Sequence, residues 1–232
     1  MKKNNIDIPP LSQRILYEDN HIIAVNKYPS EIVQKDKTGD MALNEKVKDY
    51  IKETYHKPGN VFLGIPHRID RPVSGVVIFA KTSKALSRLS DMFRNKEIQK
   101  TYHAVVENCP PENEGVLIHY LRKNERLNKS FAINEPKGGY KKCELKYRLA
   151  QTLDRYFLLE IEPLTGRHHQ IRVQLAAIGC VIKGDLKYGA KRPNKDASIC
   201  LHARKIAFLH PVKKEPLLIT AEYPKRDIWK YL

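Results

Sequence analysis

The chain has 232 residues, 41% of them apolar and 29% charged, with 42 Lys and Arg against 26 Asp and Glu for a net charge of +16. That balance excludes a disordered chain and leaves room for one large domain or two small ones with a sizeable core. No apolar run approaches the roughly 20 residues that a bilayer span needs, and the opening MKKNNIDIPP has charge without the apolar stretch of a secretory signal. The excess of cations points to a polyanionic partner, nucleic acid before a membrane surface. Cys109, Cys143, Cys180 and Cys200 lie far apart, with no C-x-x-C pair and no His/Cys cluster to suggest zinc. They are expected to be reduced thiols of a cytoplasmic protein.

Residues 1–13 are polar with a Pro9-Pro10 pair and are expected to be a mobile lead-in. Arg14 to Tyr17 and His21 to Asn26, around Glu18-Asp19-Asn20, predict a hairpin. Residues 31–40 look like a polar loop. Leu43, Val47, Tyr50 and Ile51 recur at helical spacing, so the region around 41–55 is expected to be an amphipathic helix that stops at His56-Lys57-Pro58-Gly59. Val76 to Ala80 is a nearly unbroken apolar run and predicts a buried strand. Thr82 or Ser83 then caps a second helix carrying Leu86, Leu89 and Phe93 on one face.

Residues 98–107, 116–121, 144–150 and 156–161 predict further strands. Between them lie two basic tracts expected as loops, Arg122 to Lys129 and Lys137-Gly138-Gly139-Tyr140-Lys141-Lys142. Glycines and an aromatic among lysines suit phosphate contact with base stacking, although plain hairpin loops would look the same. Thr165 is the expected N-cap of a helix with Ile171, Leu175 and Ile178 as its buried stripe and Gly179 just past its end. Val181 to Asp185 reads as a short strand and turn, and 186–198 as a basic loop. Arg204 to Leu209 and Leu217 to Glu222 read as closing strands, and Ile228 to Leu232 as a last helical turn. Interleaved helices and prominent hairpins predict an α+β fold around a mixed, largely antiparallel sheet.

The stretch that carries chemistry is Pro66-His67-Arg68-Ile69-Asp70-Arg71-Pro72-Val73-Ser74-Gly75, one carboxylate between two arginines in a turn before a buried strand. Such loops are where catalytic residues are usually carried, although a surface ion pair at the start of a strand is the plain alternative. The sequence has no P-loop, no G-x-G-x-x-G, no H-E-x-x-H and no G-x-S-x-G. Glycosidase chemistry wants two carboxylates on one bond, and here one stands out. An arginine beside Asp70 would keep it ionised, fit to act as a nucleophile or base and poorly suited to act as a general acid. Downstream, His168 and His169 lie within one turn of Arg172 and crowd polar groups at the start of a helix.

These segments match a known pattern. His67-Arg68-Ile69-Asp70-Arg71-Pro72-Val73-Ser74-Gly75 resembles the H-R-L-D-x-x-T-S-G motif of RluA-type RNA pseudouridine synthases. Thr165-Gly166-Arg167-His168-His169-Gln170-Ile171-Arg172-Val173 resembles their T-G-R-T-H-Q-I-R-V, and Ile182-Lys183-Gly184-Asp185 with Tyr188-Gly189 resembles their P-I-x-G-D-x-x-Y-G. Lys100-Thr101-Tyr102 with Ala104 resembles their K-x-Y-x-A strand, and Glu18-Asp19 with Asn26-Lys27-Tyr28-Pro29-Ser30 their opening Y-x-D…N-K-P-x-G. The likeness spans roughly residues 15 to 222.

The resemblance implies a single α+β catalytic domain over residues 14–232 with an active-site cleft, and isomerisation of uridine to pseudouridine in ribosomal or transfer RNA. No metal or organic cofactor is implied, and a monomer is expected because no long exposed apolar face stands out. Asp70 takes the catalytic aspartate position, as nucleophile or as the base that removes a ribose C2′ proton. Tyr102 takes the position of the tyrosine that stacks on the target base, and Arg172 that of the arginine paired with the catalytic carboxylate. Arg68 takes the position of the arginine that fills the space of the flipped nucleotide. Ile171 and Val173 would give apolar walls, and Arg71, Lys100, Arg167 and His169 would contact RNA. Flipping exposes a base otherwise shielded in a stacked strand, at roughly a few kcal/mol.

Val73 and His168 stand where the pattern has threonine, and Tyr28-Pro29-Ser30-Glu31 departs from K-P-x-G. Only about 14 residues precede the first expected strand, where many relatives carry an S4-like domain. Target choice is therefore expected from loops or from a partner. Two other functions fit the same residues: a non-catalytic RNA-binding or chaperone module on this scaffold, and a nucleic-acid glycosidase that cleaves without rejoining.

Overall fold

A computed structural model describes residues 8–36 and 39–232. Residues 1–7 of the lead-in expected over 1–13, and positions 37 and 38 of the expected polar loop, lie outside the described residues; the end of the lead-in is ordered as a 3-10 turn from Leu11. The chain divides into two compact units, Met1–Gln99 with Ala203–Leu232, and Lys100–His202. The α+β class is as expected, with antiparallel pairing dominant in both units.

In the first unit a 3-10 turn at Leu11–Arg14 leads into β1 (Ile15–Glu18), which pairs antiparallel with β2 (Ile22–Lys27). Asp19 makes the hairpin turn by accepting the backbone N–H groups of His21 (2.8 Å) and Ile22 (2.9 Å). β2 pairs antiparallel with β3 (Ser74–Ala80), Ile22 opposite Ala80 and Lys27 opposite Gly75. Both strands are buried on both faces because a helix covers each side. Ile23, Val25, Val77 and Phe79 pack on Leu43, Val47 and Ile51 of α1 (Leu43–Thr54). Ile22, Ala24, Val76 and Ile78 pack on Ala85, Leu89 and Met92 of α2 (Ser83–Arg94). Side chains alternate along a strand, so two covered faces give the unbroken apolar run seen in the sequence. Thr82 caps α2 by accepting the N–H of Ala85 (3.1 Å).

The expected polar loop at 31–40 differs at its start. Glu31, Ile32 and Val33 are buried, and the carbonyls of Ile32 and Val33 accept the N–H groups of Leu43 and Asn44, which open α1. Glu31 tolerates burial because Arg14 (2.6 Å) and Lys46 (2.8 Å) pair with it.

In the second unit β4 (Gln99–Val106), β5 (Glu114–Asn124), β6 (Lys129–Ile133), β7 (Lys141–Thr152) and β8 (Phe157–Pro163) pair antiparallel in the order β4-β8-β7-β5-β6. β7 alternates cleanly, with Cys143, Leu145 and Tyr147 buried and Lys142, Lys146 and Arg148 exposed, as a sheet covered on one face requires. Half of the first basic tract is strand: Arg122 to Asn124 ends β5 and Lys129 begins β6, with the turn at 125–128 between them. The sequence hid this pairing because Lys, Arg and Asn are weak strand formers.

α3 (Gln170–Ala177) begins five residues beyond Thr165. Thr165 does not cap it. Its Oγ1 accepts the N–H of Glu144 (2.9 Å) and donates to Oε1 of Gln170 (2.7 Å), which ties the approach to β7. The expected single stripe is also wrong. Residues 170–175 are all buried, and Ile178 lies beyond the helix, half-buried. The C-terminus is as expected: Gly179 has φ +79°, its N–H meets the carbonyl of Ala176, and Cys180 reaches that of Leu175. A bridge from Ile182 to Val106 and a 3-10 turn at Leu186–Tyr188 follow.

The chain completes the first unit with β9 (Leu201–Leu209), antiparallel to β10 (Pro216–Thr220), and a 3-10 turn at Asp227–Tyr231. Gly75, with φ +115°, lets β3 approach Ala203 of β9 so closely that a Cβ would collide with backbone.

Candidate active site

Asp70 sits on a turn closed by its own carbonyl accepting the N–H of Val73 (3.1 Å), with Arg71 and Pro72 at the corner. Two anchors hold it. Upstream, the N–H of Ile78 in β3 donates to Nε2 of His67 (2.9 Å), and the imidazole stacks on Phe93 of α2 at 4.6 Å. The neutral ring therefore keeps its proton on Nδ1. The backbone downstream of Asp70 is held by Lys27, fully buried at the end of β2. Its ammonium donates to the carbonyls of Tyr28 (3.0 Å), Arg71 (3.1 Å) and Val73 (2.6 Å). That matches every proton of the ammonium with an acceptor. The Arg71 carbonyl also accepts the N–H of Ser30 (2.9 Å).

Burial pushes Lys27 down to about 7, while the negative fields of Glu31 and Asp70 hold it up. The Asp70 side chain is half-buried and Arg68 is exposed. Arg71 is exposed and pairs with Asp40 (2.6 Å), a surface contact worth about 0–1 kcal/mol. Val73 is buried, so an apolar side chain suits the position where the family pattern has threonine.

In the second unit the start of α3 carries a polar cluster. Arg172 forks onto Asp185, Nε to Oδ2 (2.7 Å) and Nη2 to Oδ1 (2.8 Å), with both side chains buried. Its guanidinium also lies 5.2 Å from the centre of the Tyr188 ring. The Tyr188 hydroxyl accepts the N–H of Ser130 (2.9 Å) and meets Nδ1 of His169 (2.9 Å). His169 is left-handed at φ +54°, where the chain turns into the helix. Burial first, then the charge of Arg172, depresses its imidazole to about 2, so it stays neutral.

His168 stacks on His169 at 3.8 Å. Ser130 Oγ donates to the His168 carbonyl (2.7 Å) and lies 2.9 Å from His168 Nδ1, which must then carry the ring proton. Tyr102 is half-buried on β4 opposite Ile161. Lys100, on the same strand, has its amine pushed down by burial. Arg167 is exposed, Ile171 is buried, and Val173 packs with Leu121, Cys143 and Tyr188 in the core of the unit.

Residues 21–177 match the sequence model of a family described as RNA pseudouridylate synthase. The chain belongs to this family. It is 33% identical to a "tRNA pseudouridine synthase C" of Vibrio parahaemolyticus, over 96% of this chain and 94% of that one. It is 34% identical to a "Ribosomal large subunit pseudouridine synthase C" of Buchnera aphidicola, over 94% of this chain and 70% of that one. The solved structure of human RNA pseudouridylate synthase domain containing 4 superposes with a TM-score of 0.78 at 21% identity, over 93% of this chain and 90% of that one, a likeness of fold.

As a pseudouridylate synthase the chain is an RNA isomerase that converts uridine to pseudouridine, which favours the catalytic expectation over the binding-only one. Among the described residues no helix is long and apolar enough to cross a membrane, and no group of three or more His, Cys, Asp or Glu could hold a metal ion.

The structure gathers the expected residues locally. Arg68, Asp70 and Arg71 share one pinned turn, Arg167 to Val173 share the approach and first turn of α3, and Lys100 and Tyr102 share β4. Sequence reasoning on the pseudouridylate synthase motifs quoted Lys27, Asp185 and Tyr188 without giving them a role, and did not single out Ser130. For Lys27 the signal was a cation ending a buried apolar strand. For Asp185 and Tyr188 it was their spacing in Gly184-Asp185-Leu186-Lys187-Tyr188, which a 3-10 turn folds together.

Proposed function

We propose that Asp70 carries the isomerisation, that Tyr102 and Arg172 are its catalytic partners, and that the substrate is a structured transfer or ribosomal RNA in the cytoplasm. The observation that supports this most is the Asp70 turn itself. A half-buried carboxylate sits on a corner held by the His67 and Lys27 anchors, with exposed Arg68 and Arg71 on either side. A catalytic group held on a locked turn needs little reorganisation when the substrate arrives.

The carboxylate attacks ribose C1′ or takes the C2′ proton, the N-glycosidic bond breaks, the uracil turns, and C5 bonds to C1′ as its proton leaves. Tyr102 offers a ring for the base, and Arg172 a cation whose plane the Asp185 fork fixes. Arg68 fills the place of the flipped nucleotide. Arg71, Lys100, Arg167 and His169 serve RNA contact, and Ile171 and Val173 give apolar support. These roles follow the motif resemblance position by position.

Relatives named for transfer RNA and for ribosomal RNA are nearly equally similar, at 33% and 34% identity, so likeness does not choose between the two. The test is release of tritium from C5-labelled uridine in total RNA from a strain lacking the gene. Release by wild type and none by Asp70→Asn, with RNA binding kept, is the expected result. Activity in Asp70→Asn would remove Asp70 from the centre, and free uracil would indicate cleavage without rejoining. Fractionating the RNA that releases label identifies the substrate.

A further inference from the structure

The second unit carries a basic and aromatic concavity in which Arg167 is the one residue already given a role. Arg122 and Phe131 face one another across the β5–β6 pair, and Phe131 is 42% exposed. The turn from Lys137 to Tyr140 comes beside them: the N–H of Tyr140 meets the carbonyl of Lys137 (3.0 Å), and Gly139 lies against the Arg122 side chain. Together Arg122, Lys123, Phe131 and Tyr140 line a hollow of about 410 Å³. A second hollow of about 310 Å³ shares Arg122 and Lys123 and adds Lys141 and Arg167.

The chemistry of this surface is specific. Arg122, Lys141 and Arg167 are exposed and make no ion pair among the described residues. The carboxylate in the lining, Glu125, pairs with Lys123 (2.6 Å) on the surface and leaves the balance cationic. Lys129 lies 5.8 Å from the centre of the Phe131 ring and adds a further cation to that rim. Unpaired cations beside available aromatic faces suit a phosphate backbone whose bases are unstacked; a duplex would bury its base faces and offer only phosphates.

We propose that this concavity binds unpaired nucleotides of the substrate RNA other than the target uridine. Their bases stack on Phe131 and Tyr140, and their phosphates meet Arg122, Lys141 and Arg167. The site rests on the reading that the substrate is RNA. It extends recognition from Arg167 of the α3 motif to the β5–β6 pair and the Lys137–Tyr140 turn, selecting targets that have single-stranded neighbours.

The experiment measures binding of a single-stranded adenylate of roughly six nucleotides by fluorescence anisotropy. It contains no uridine and cannot be turned over, so its binding is read separately from isomerisation. Asp70→Asn is expected to bind it as wild type does. The double variant Phe131→Ala/Tyr140→Ala is expected to bind it at least about tenfold more weakly. Phe131→Trp/Tyr140→Trp is expected to restore affinity, which separates stacking from a folding defect. Arg122→Gln is expected to lower the salt slope of log K by about 0.7, one phosphate on a single strand. On full-length substrate the aromatic double variant shows its loss mainly as a raised KM.

Equal binding by wild type and the alanine double variant overturns the site. So does an equal loss on duplex RNA or on anionic phosphatidylserine vesicles, because either would mean unspecific attraction to anions. If wild type releases no tritium yet the adenylate result holds, the isomerase assignment fails and the binding site stands.

Discussion

The ammonium of Lys27 donates to the carbonyl of Val73 over 2.6 Å, and it reaches the carbonyl of Arg71 from the same buried position. The lysine thus bonds the backbone immediately after Asp70. Lys27→Met keeps the volume and removes the donors. The carbonyls of Tyr28 and Val73 lose this bond, at about 1–3 kcal/mol for each group left unsatisfied, partly offset because a buried charge is also removed. The expected outcome is a fall in kcat of tenfold or more with a smaller change in KM, together with a lowered melting temperature. Tritium-release kinetics and thermal melts check it.

The same lysine makes stability depend on pH. Its folded value of about 7 lies below its ordinary 10.5, so between those limits the unfolded chain holds the extra proton. Stability must then rise with pH across that window, by at most about 1.4 kcal/mol per pH unit. The destabilisation is fully present below pH 7 and is lost as pH climbs toward 10.5. Denaturant unfolding at several pH values is expected to show this rise in wild type and a shallower one in Lys27→Met, where the buried Lys100 amine still contributes.

What was legible in the sequence was local. The Asp70 turn could be seen because Pro72, Gly75 and the following apolar run are neighbours in the chain. The Gly179 stop could be seen for the same reason. What was hidden depends on distant partners. α3 begins at Gln170 because the Thr165 hydroxyl is occupied by Glu144 on β7, a strand distant in sequence. β6 was missed because its identity as a strand comes from pairing with β5, against the propensity of its polar residues. Glu31 is loop as expected, but its burial was hidden because its cationic partners, Arg14 and Lys46, come from either side of it in the chain.

The Arg172–Asp185 fork is buried on both sides, so breaking it differs from replacing it. Asp185→Asn takes the charged fork away from a buried guanidinium, and a loss of about 3–5 kcal/mol is expected. Arg172→Met takes the fork from the buried Asp185 carboxylate and should also destabilise. In Asp185→Asn/Arg172→Met both halves of the fork are gone. The double loss is therefore expected to be smaller than the sum of the two single losses, because the residues are directly coupled. Urea unfolding of the four proteins in this cycle measures it; additive losses would mean that the fork contributes little.

His169 predicts the behaviour on the acid side. Its folded value of about 2 lies below its ordinary 6.5, so the unfolded chain binds the additional proton between these limits. Stability contributed by the neutral ring is therefore intact above pH 6.5 and declines as pH falls, by at most about 1.4 kcal/mol per pH unit. His169→Asn suits the test because asparagine tolerates the left-handed backbone found there and does not titrate. The variant is expected to be less stable than wild type at pH 7, having lost the contact with the Tyr188 hydroxyl, and to lose stability more slowly between pH 6 and pH 4. Tyr188→Phe should lower stability at pH 7 by about 1–3 kcal/mol, since the buried N–H of Ser130 loses its acceptor. Parallel pH series of unfolding free energy for the three proteins measure both effects. An acid limb equally steep between pH 6 and pH 4 in His169→Asn would assign that loss to His119 and His210, whose imidazoles burial also depresses.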